Sequence, residues 1–306
     1  MMYIMLLVGF VLLVKGADFF VEGASSVAHL LRIPSVVIGL TIVAMGTSAP
    51  EAAVSVTAGL SGNADISLSN VIGSNLFNTL VVLGACAVIG KRVPTDAEVM
   101  NRDFYWNLAA TVVLLLFALG GTIHQWQGLL LLAVMVLYLF IIVRTALKHR
   151  TEEDDQKLLS PLASALYIAG GLAAIVWGGD LVVDNACLIA EAWGMSQTLI
   201  GLTIVAMGTS LPELVTSVVA AQKGETGLAL GNVVGSNLFN LLFIMGIASS
   251  LTPIAVAAVS VMDLGVLLAC GVLTYFFCKS REEISRTEGL ILLALYGAYM
   301  VWIILR

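Results

Sequence analysis

The segment VVIGLTIVAMGTSAPE at 36–51 recurs as TLIGLTIVAMGTSLPE at 198–213, with thirteen of sixteen positions identical. NVIGSNLFN at 70–78 recurs as NVVGSNLFN at 232–240, with eight of nine identical. Both pairs are displaced by the same 162 positions, and that shift also superposes Asp18 on Asp180 and Glu22 on Asp184. One shift holding over so much sequence is the mark of a duplicated unit.

The duplication is set in apolar sequence. Of the 306 residues, 59% are hydrophobic and 11% charged, against about 25% charged in ordinary soluble domains. A membrane-spanning helix needs about 20 apolar residues. Ten segments meet this, near 2–31, 36–60, 68–90, 104–121, 125–146, 160–190, 197–221, 227–251, 256–278 and 287–305. The first and sixth are overlong, which implies tilt. The first has no basic leader region and carries Lys15, Asp18 and Glu22, so it reads as a retained helix rather than a signal peptide.

The fold expected is an all-α membrane protein of ten transmembrane helices in two five-helix repeats. Residues 1–146 form the first, 147–159 a polar linker, and 160–306 the second. Five spans is an odd number, so the second copy enters the bilayer from the opposite side. Secondary transporters with such inverted repeats bind their cargo near the midplane between them.

Sidedness follows from the basic residues. Twelve of the fourteen fall on one set of alternate connections: Arg32; Lys91, Arg92 and Arg102; Arg144, Lys148, Arg150 and Lys157; Lys223; and Lys279, Arg281 and Arg286. The positive-inside rule makes these connections, the 147–159 loop among them, cytoplasmic and places both termini outside. A cell (plasma or inner) membrane is the expected location. With a net charge of −6 and no basic stripe, nothing suggests nucleic acid as a partner. The four cysteines lie in apolar stretches without metal-site spacing and read as packing residues.

Pro50 and Pro212 fall inside the second and seventh spans, which are expected to break at GTSxPE. A broken helix frees carbonyl oxygens and is tolerated at membrane depth only against protein or a wet cavity. Glu51 and Glu213 follow directly, each costing about 2.5–3.5 kcal/mol at mid-bilayer. Thr47 and Ser48 precede Glu51 by four and three residues and can share its face, and Thr209 and Ser210 repeat this beside Glu213. Asn70, Ser74 and Asn78 form a polar stripe at helical spacing, and Asn232, Ser236 and Asn240 its mate. Gly73 and Gly235 are expected to let helices approach closely. Asn70, Asn75, Asn232 and Asn237 read as packing groups, and Lys15, Asp18, Glu22, Asp180 and Asp184 as internal ion pairs or helix-end contacts. His29, His124 and His149 fall near the membrane edges.

The donors at the predicted centre are all oxygen, which suits sodium and calcium and disfavours zinc and copper. An intramembrane hydrolase built on Ser48 or Ser210 would need a base that these motifs lack, so no enzymatic activity and no prosthetic group are expected. A passive channel would not explain two-fold symmetry around buried acids.

GTSAPE (46–51), GTSLPE (208–213) and the two GSNLFN stretches (73–78 and 235–240) resemble the alpha repeats of the sodium/calcium exchanger family, within the cation/calcium antiporter superfamily. The resemblance covers nearly the whole chain. It implies that the second, third, seventh and eighth helices surround four cation sites, where calcium and sodium compete, typically three sodium ions per calcium. The metal ligands it implies are Ala44 through its backbone, Thr47, Ser48, Glu51, Ser74 and Asn78. Their mates are Ala206 through its backbone, Thr209, Ser210, Glu213, Ser236 and Asn240. Some relatives, the potassium-dependent exchangers among them, carry aspartate where this chain has Asn240, so the chain resembles the potassium-independent type. Proton/calcium exchangers share the GxSxPE pattern, which keeps proton antiport as the alternative to sodium.

Overall fold

The computed structural model describes residues 1–60, 64–90, 92–148, 159–195, 204 and 206–305. The helices are α1 (Met2–Leu31), α2 (Ser35–Thr47), α3 (Ala49–Leu60), α4 (Ile66–Ile89), α5 (Val99–Leu119), α6 (Gln125–Lys148) and α7 (Pro161–Ala192). They continue as α8 (Ala206–Gly208), α9 (Leu211–Gln222), α10 (Thr226–Leu251), α11 (Ala258–Arg281) and α12 (Arg286–Leu305). Among the described residues, eight helices are long and apolar enough to span a bilayer, or nine if α2 and α3 count as one span bent by 49°. The expected span 197–221 begins outside the described residues, and α8 and α9 are its described part. Lys91, His149, Arg150, Lys157 and Arg306 also lie outside them.

The usual inside-out order of a soluble protein is reversed. Large apolar side chains such as Trp126, Val136, Phe140, Leu166 and Trp177 are exposed, while Thr47, Ser48, Glu51, Ser74, Asn78, Ser210, Glu213, Ser236 and Asn240 are buried. Exposed apolar surface on this scale requires a lipid neighbour. The central spans are α10, 94% buried over its most apolar stretch, and α4, 72% buried; the other spans reach 33% at most.

Packing obeys the 162-residue shift. Along α1, Gly9, Gly16 and Gly23 are seven apart and meet Gly178, Gly171 and Ser164 of α7, also seven apart. A Cβ on Gly16 would stand 2.8 Å from the carbonyl oxygen of Gly171, and one on Gly9 2.9 Å from that of Gly178. These two contacts exchange when each residue is replaced by its repeat partner, so α1 and α7 run antiparallel about a two-fold axis. Small residues at such a seam are how membrane helices gain close van der Waals contact without a hydrophobic drive. The seven-residue glycine spacing is legible in the sequence, but length and tilt alone do not say which helix it faces.

Two strand pairs, not expected from an all-helical reading, obey the same symmetry. β1 (Arg92–Pro94) pairs antiparallel with β4 (Glu283–Ser285), and β2 (Thr122–Ile123) with β3 (Ile254–Ala255). The register Arg92↔Ser285 becomes Ile254↔Ile123 under the shift. Two or three residues are too few to show an alternating pattern. The strands clip connections together at opposite ends of the bundle without changing its helical character.

Close backbone approach also fixes α2 against α10. A Cβ on Gly39 would stand 2.6 Å from the Leu228 carbonyl oxygen, and one on Gly235 2.6 Å from that of Leu40. Gly73 differs from expectation: no described atom lies within 4 Å of a Cβ built there. The repeat counterpart of Leu40 is Leu202, which lies outside the described residues.

Candidate cation site

The helix interruption falls at the serine of each GTSxPE motif, two residues before the proline. Ser48 (φ −83°, ψ 11°) separates α2 from α3, and Ser210 (φ −92°, ψ 9°) precedes α9. Both sit in the sparsely allowed region near ψ 0° that interrupts a helix. Pro50 and Pro212 then occupy the second position of α3 and α9, where the missing N–H costs nothing.

The backbone consequence differs from the sequence reading. The Ala44 carbonyl is not freed: it accepts the Ser48 N–H at 3.0 Å and the Thr47 hydroxyl at 3.4 Å. The last turn of α2 closes before the break, so only a second lone pair remains for any other partner. Ala206 opens the short turn α8.

The two halves cross at the carboxylates. Ser48 Oγ donates to Glu213 Oε1 at 2.7 Å, and Ser210 Oγ donates to Glu51 Oε1 at 2.9 Å. Each serine therefore serves the acid of the opposite repeat, whereas the spacing had placed Ser48 on the face of Glu51. Thr47 Oγ1 bonds Val43 O at 3.2 Å and Asn232 Oδ1 at 3.2 Å. Ser236 Oγ approaches Glu213 Oε1 at 3.5 Å. Both glutamates are buried, and among the described residues neither forms an ion pair.

Among the described residues, fifteen buried side-chain polar atoms have no hydrogen-bond partner, and eight of them, Thr209 Oγ1 among these, belong to the candidate ligands in the repeat motifs. The other seven of these eight are Glu51 Oε2, Glu213 Oε2, Ser74 Oγ, and both side-chain polar atoms of Asn78 and of Asn240. A buried polar group normally finds a partner, because leaving one unmade costs about 1–3 kcal/mol. These atoms belong to residues singled out by the repeat, and their oxygens form a hard donor set. Asn78 begins the wide π-turn Asn78–Val82, and Asn240 lies in its counterpart Phe239–Ile244. Such turns shift a helix's facing and are frequent at functional sites.

The outer asparagines brace the core. Asn232 Nδ2 bonds Ser217 Oγ at 2.9 Å, and Asn70 Nδ2 bonds Ser55 Oγ at 3.1 Å and the Glu51 carbonyl at 3.3 Å. Asn237 Nδ2 bonds Thr79 Oγ1 at 2.9 Å. Thr209 lines a cavity of about 90 Å³ with Pro50, Pro212, Asp180 and Asp184. Among the described residues no three His, Cys, Asp or Glu side chains cluster, so any cation here would rest on two carboxylates and neutral oxygens.

Apolar helices around two buried, crossed carboxylates define a multi-pass integral membrane protein with a polar centre, the architecture of an ion carrier. The sequence profile of the family described as sodium/calcium exchanger protein matches residues 1–144 and 163–305. This chain belongs to that family. CaxA of Alkalimonas amylolytica is 38% identical over 309 residues, covering 97% of this chain and 96% of that protein. The sodium/calcium exchanger MaX1 of Methanosarcina acetivorans is 32% identical over 341 residues, covering 98% and 97%. A solved structure of the sodium-calcium exchanger NCX_Mj, soaked with 10 mM Na+ and 10 mM Sr2+, superposes with a TM-score of 0.87 at 32% identity, covering 98% of this chain and 97% of that one.

Proposed function

We propose that this chain exchanges calcium for sodium across a cell membrane by alternating access, with the ions held between Glu51 and Glu213. One observation carries the reading: two buried glutamates are each bonded by the other repeat's serine, and each has one carboxylate oxygen with no partner among the described residues. Two negative charges match one calcium ion or several sodium ions. Both cannot occupy the same oxygens, and an empty pair of carboxylates resists crossing a poorly solvated centre. That asymmetry favours exchange over leak.

The ligand set proposed is Thr47, Ser48, Glu51, Ser74 and Asn78 with the Ala44 carbonyl, and Thr209, Ser210, Glu213, Ser236 and Asn240 with the Ala206 carbonyl. At Ala44 an ion would use the lone pair now given to the long Thr47 contact. The symmetric contacts support ten spans in two inverted units, 1–146 and 160–306, joined by 147–159. The distribution of lysine and arginine supports termini outside and a cytoplasmic linker.

The test is calcium-45 uptake into proteoliposomes under sodium, potassium or proton gradients imposed separately. An outward sodium gradient should drive uptake, with potassium without effect. Uptake driven by protons and indifferent to sodium would replace sodium as the counter-ion. Calcium entry without any counter-ion would make the protein a channel.

A further inference from the structure

The sequence symmetry of the two repeats fails at one pair of corners, Ser61–Asn63 against Lys223–Glu225. The turn Lys223–Gly224–Glu225 joins α9 to α10, the helices that carry Glu213, Ser236 and Asn240, and Gly224 has a left-handed φ of +83° that only glycine adopts freely. Lys223 Nζ donates to the Asp18 carbonyl at 2.9 Å and pairs with the Asp18 carboxylate at 3.4 Å. Lys15 reaches the other oxygen of the same carboxylate at 3.3 Å. Two helical turns further along α1, the Ser25 hydroxyl donates to Glu225 Oε1.

The repeat supplies no second copy. Under the 162-residue shift Lys223 and Glu225 become Ser61 and Asn63, Lys15 becomes Trp177 and Ser25 becomes Cys187. Only the acids Asp18 and Glu22 keep their kind, as Asp180 and Asp184. Beside those two acids, between α7 and the proline corners, lies the 90 Å³ cavity that reaches Thr209. One face is tied by charge to α1, whereas on the opposite face the sequence has neither a lysine nor a glutamate at the matching positions, and a cavity lies beside the two acids.

Resting on the exchanger reading above, we propose that Asp18, Lys223, Ser25 and Glu225 form a one-sided clasp that holds the basic, Lys223-bearing face shut. The clasp must release before ions can leave toward that face. Lys223 and Glu225 touch no proposed ligand. They are positioning residues that set which side the site faces. Because α1 and α7 share their glycine seam, tying α1 also restrains α7. Exposed ion pairs are weak on their own, which suits a tie that must open in every cycle.

The experiment compares wild type with Lys223→Gln, Asp18→Asn and the double variant, and with Glu225→Ala. Hydrogen exchange is read over 219–231 and 20–31, and half-saturating calcium is measured separately on each membrane face. Each single variant should quicken exchange in both segments at least threefold and shift half-saturation on the Lys223 face, with the opposite face unchanged. The Asp18/Lys223 double variant should match Lys223→Gln, which removes both of that lysine's contacts with Asp18, whereas Asp18→Asn leaves the bond to the Asp18 carbonyl. Wild-type exchange rates in all variants, or independent effects that multiply in the double, would overturn the clasp. If wild type shows no sodium-driven flux the exchanger reading fails, while hydrogen exchange still tests the clasp.

Discussion

Ser48 Oγ lies 2.7 Å from Oε1 of Glu213, a residue of the other repeat, and donates its proton there. With the 2.9 Å Ser210–Glu51 bond it forms a reciprocal cross. The cross ties the two broken helices at the point where their ends would otherwise part. Any ion that draws in one carboxylate thus pulls on both halves.

The carboxylates themselves are the first test. Glu51→Gln and Glu213→Gln preserve shape but remove the charge that offsets calcium. Each should abolish calcium uptake while the protein still inserts, with a melting temperature no lower than wild type. Calcium-45 counterflow and thermal melting in detergent check the two halves of the expectation. Retained counterflow in either variant would remove that residue from the site.

The serines should matter less than the acids, and equally. A hydrogen bond to a charged group contributes about 1.5–3 kcal/mol. Ser48→Ala or Ser210→Ala should therefore raise half-saturating calcium about tenfold or more. Unequal effects would show that the cross is not used symmetrically in transport.

Much of this arrangement was legible before any coordinates. The repeated GTSxPE segments and their acids could be aligned from residues alone, since duplication preserves spacing. Which acid each serine serves could not. Helical spacing put Ser48 on the face of Glu51, but Ser48 is itself the break, and its backbone turns the hydroxyl toward Glu213. A break at Ser48 also leaves the preceding turn intact, so the Ala44 carbonyl keeps its helical partner. The strand clips were invisible because two or three residues carry no period. The clasp at Lys223 needed tertiary structure, since a lysine at a loop looks the same whether it faces water or Asp18.

Backbone contact at the central crossing gives a stability prediction. A Cβ on Gly231 would overlap the Val36 carbonyl oxygen, which belongs to a helix and cannot swing aside. Gly231→Ala should lower the melting temperature sharply or prevent folding. At Gly297 nothing described lies within 4 Å of an added Cβ. Gly297→Ala should be neutral or stabilising by up to about 1 kcal/mol, the usual gain of alanine over glycine in a helix. Similar melting for both variants would mean that α2 and α10 do not approach as described.

Protons offer the last test, because they seek the same oxygens as the cations. Glu51 and Glu213 each keep a buried oxygen without a donor among the described residues. A proton bound at either cancels one of the two charges that a calcium ion needs. Acid should therefore raise half-saturating calcium while leaving the maximal rate at saturating calcium unchanged, and excess calcium should reverse the inhibition. Initial rates of calcium-45 uptake at several calcium concentrations, measured from neutral to mildly acidic pH, separate competition from general inactivation. A fall in maximal rate that calcium cannot restore would place the titrating group elsewhere, and the crossed carboxylates would then not be where calcium and protons meet.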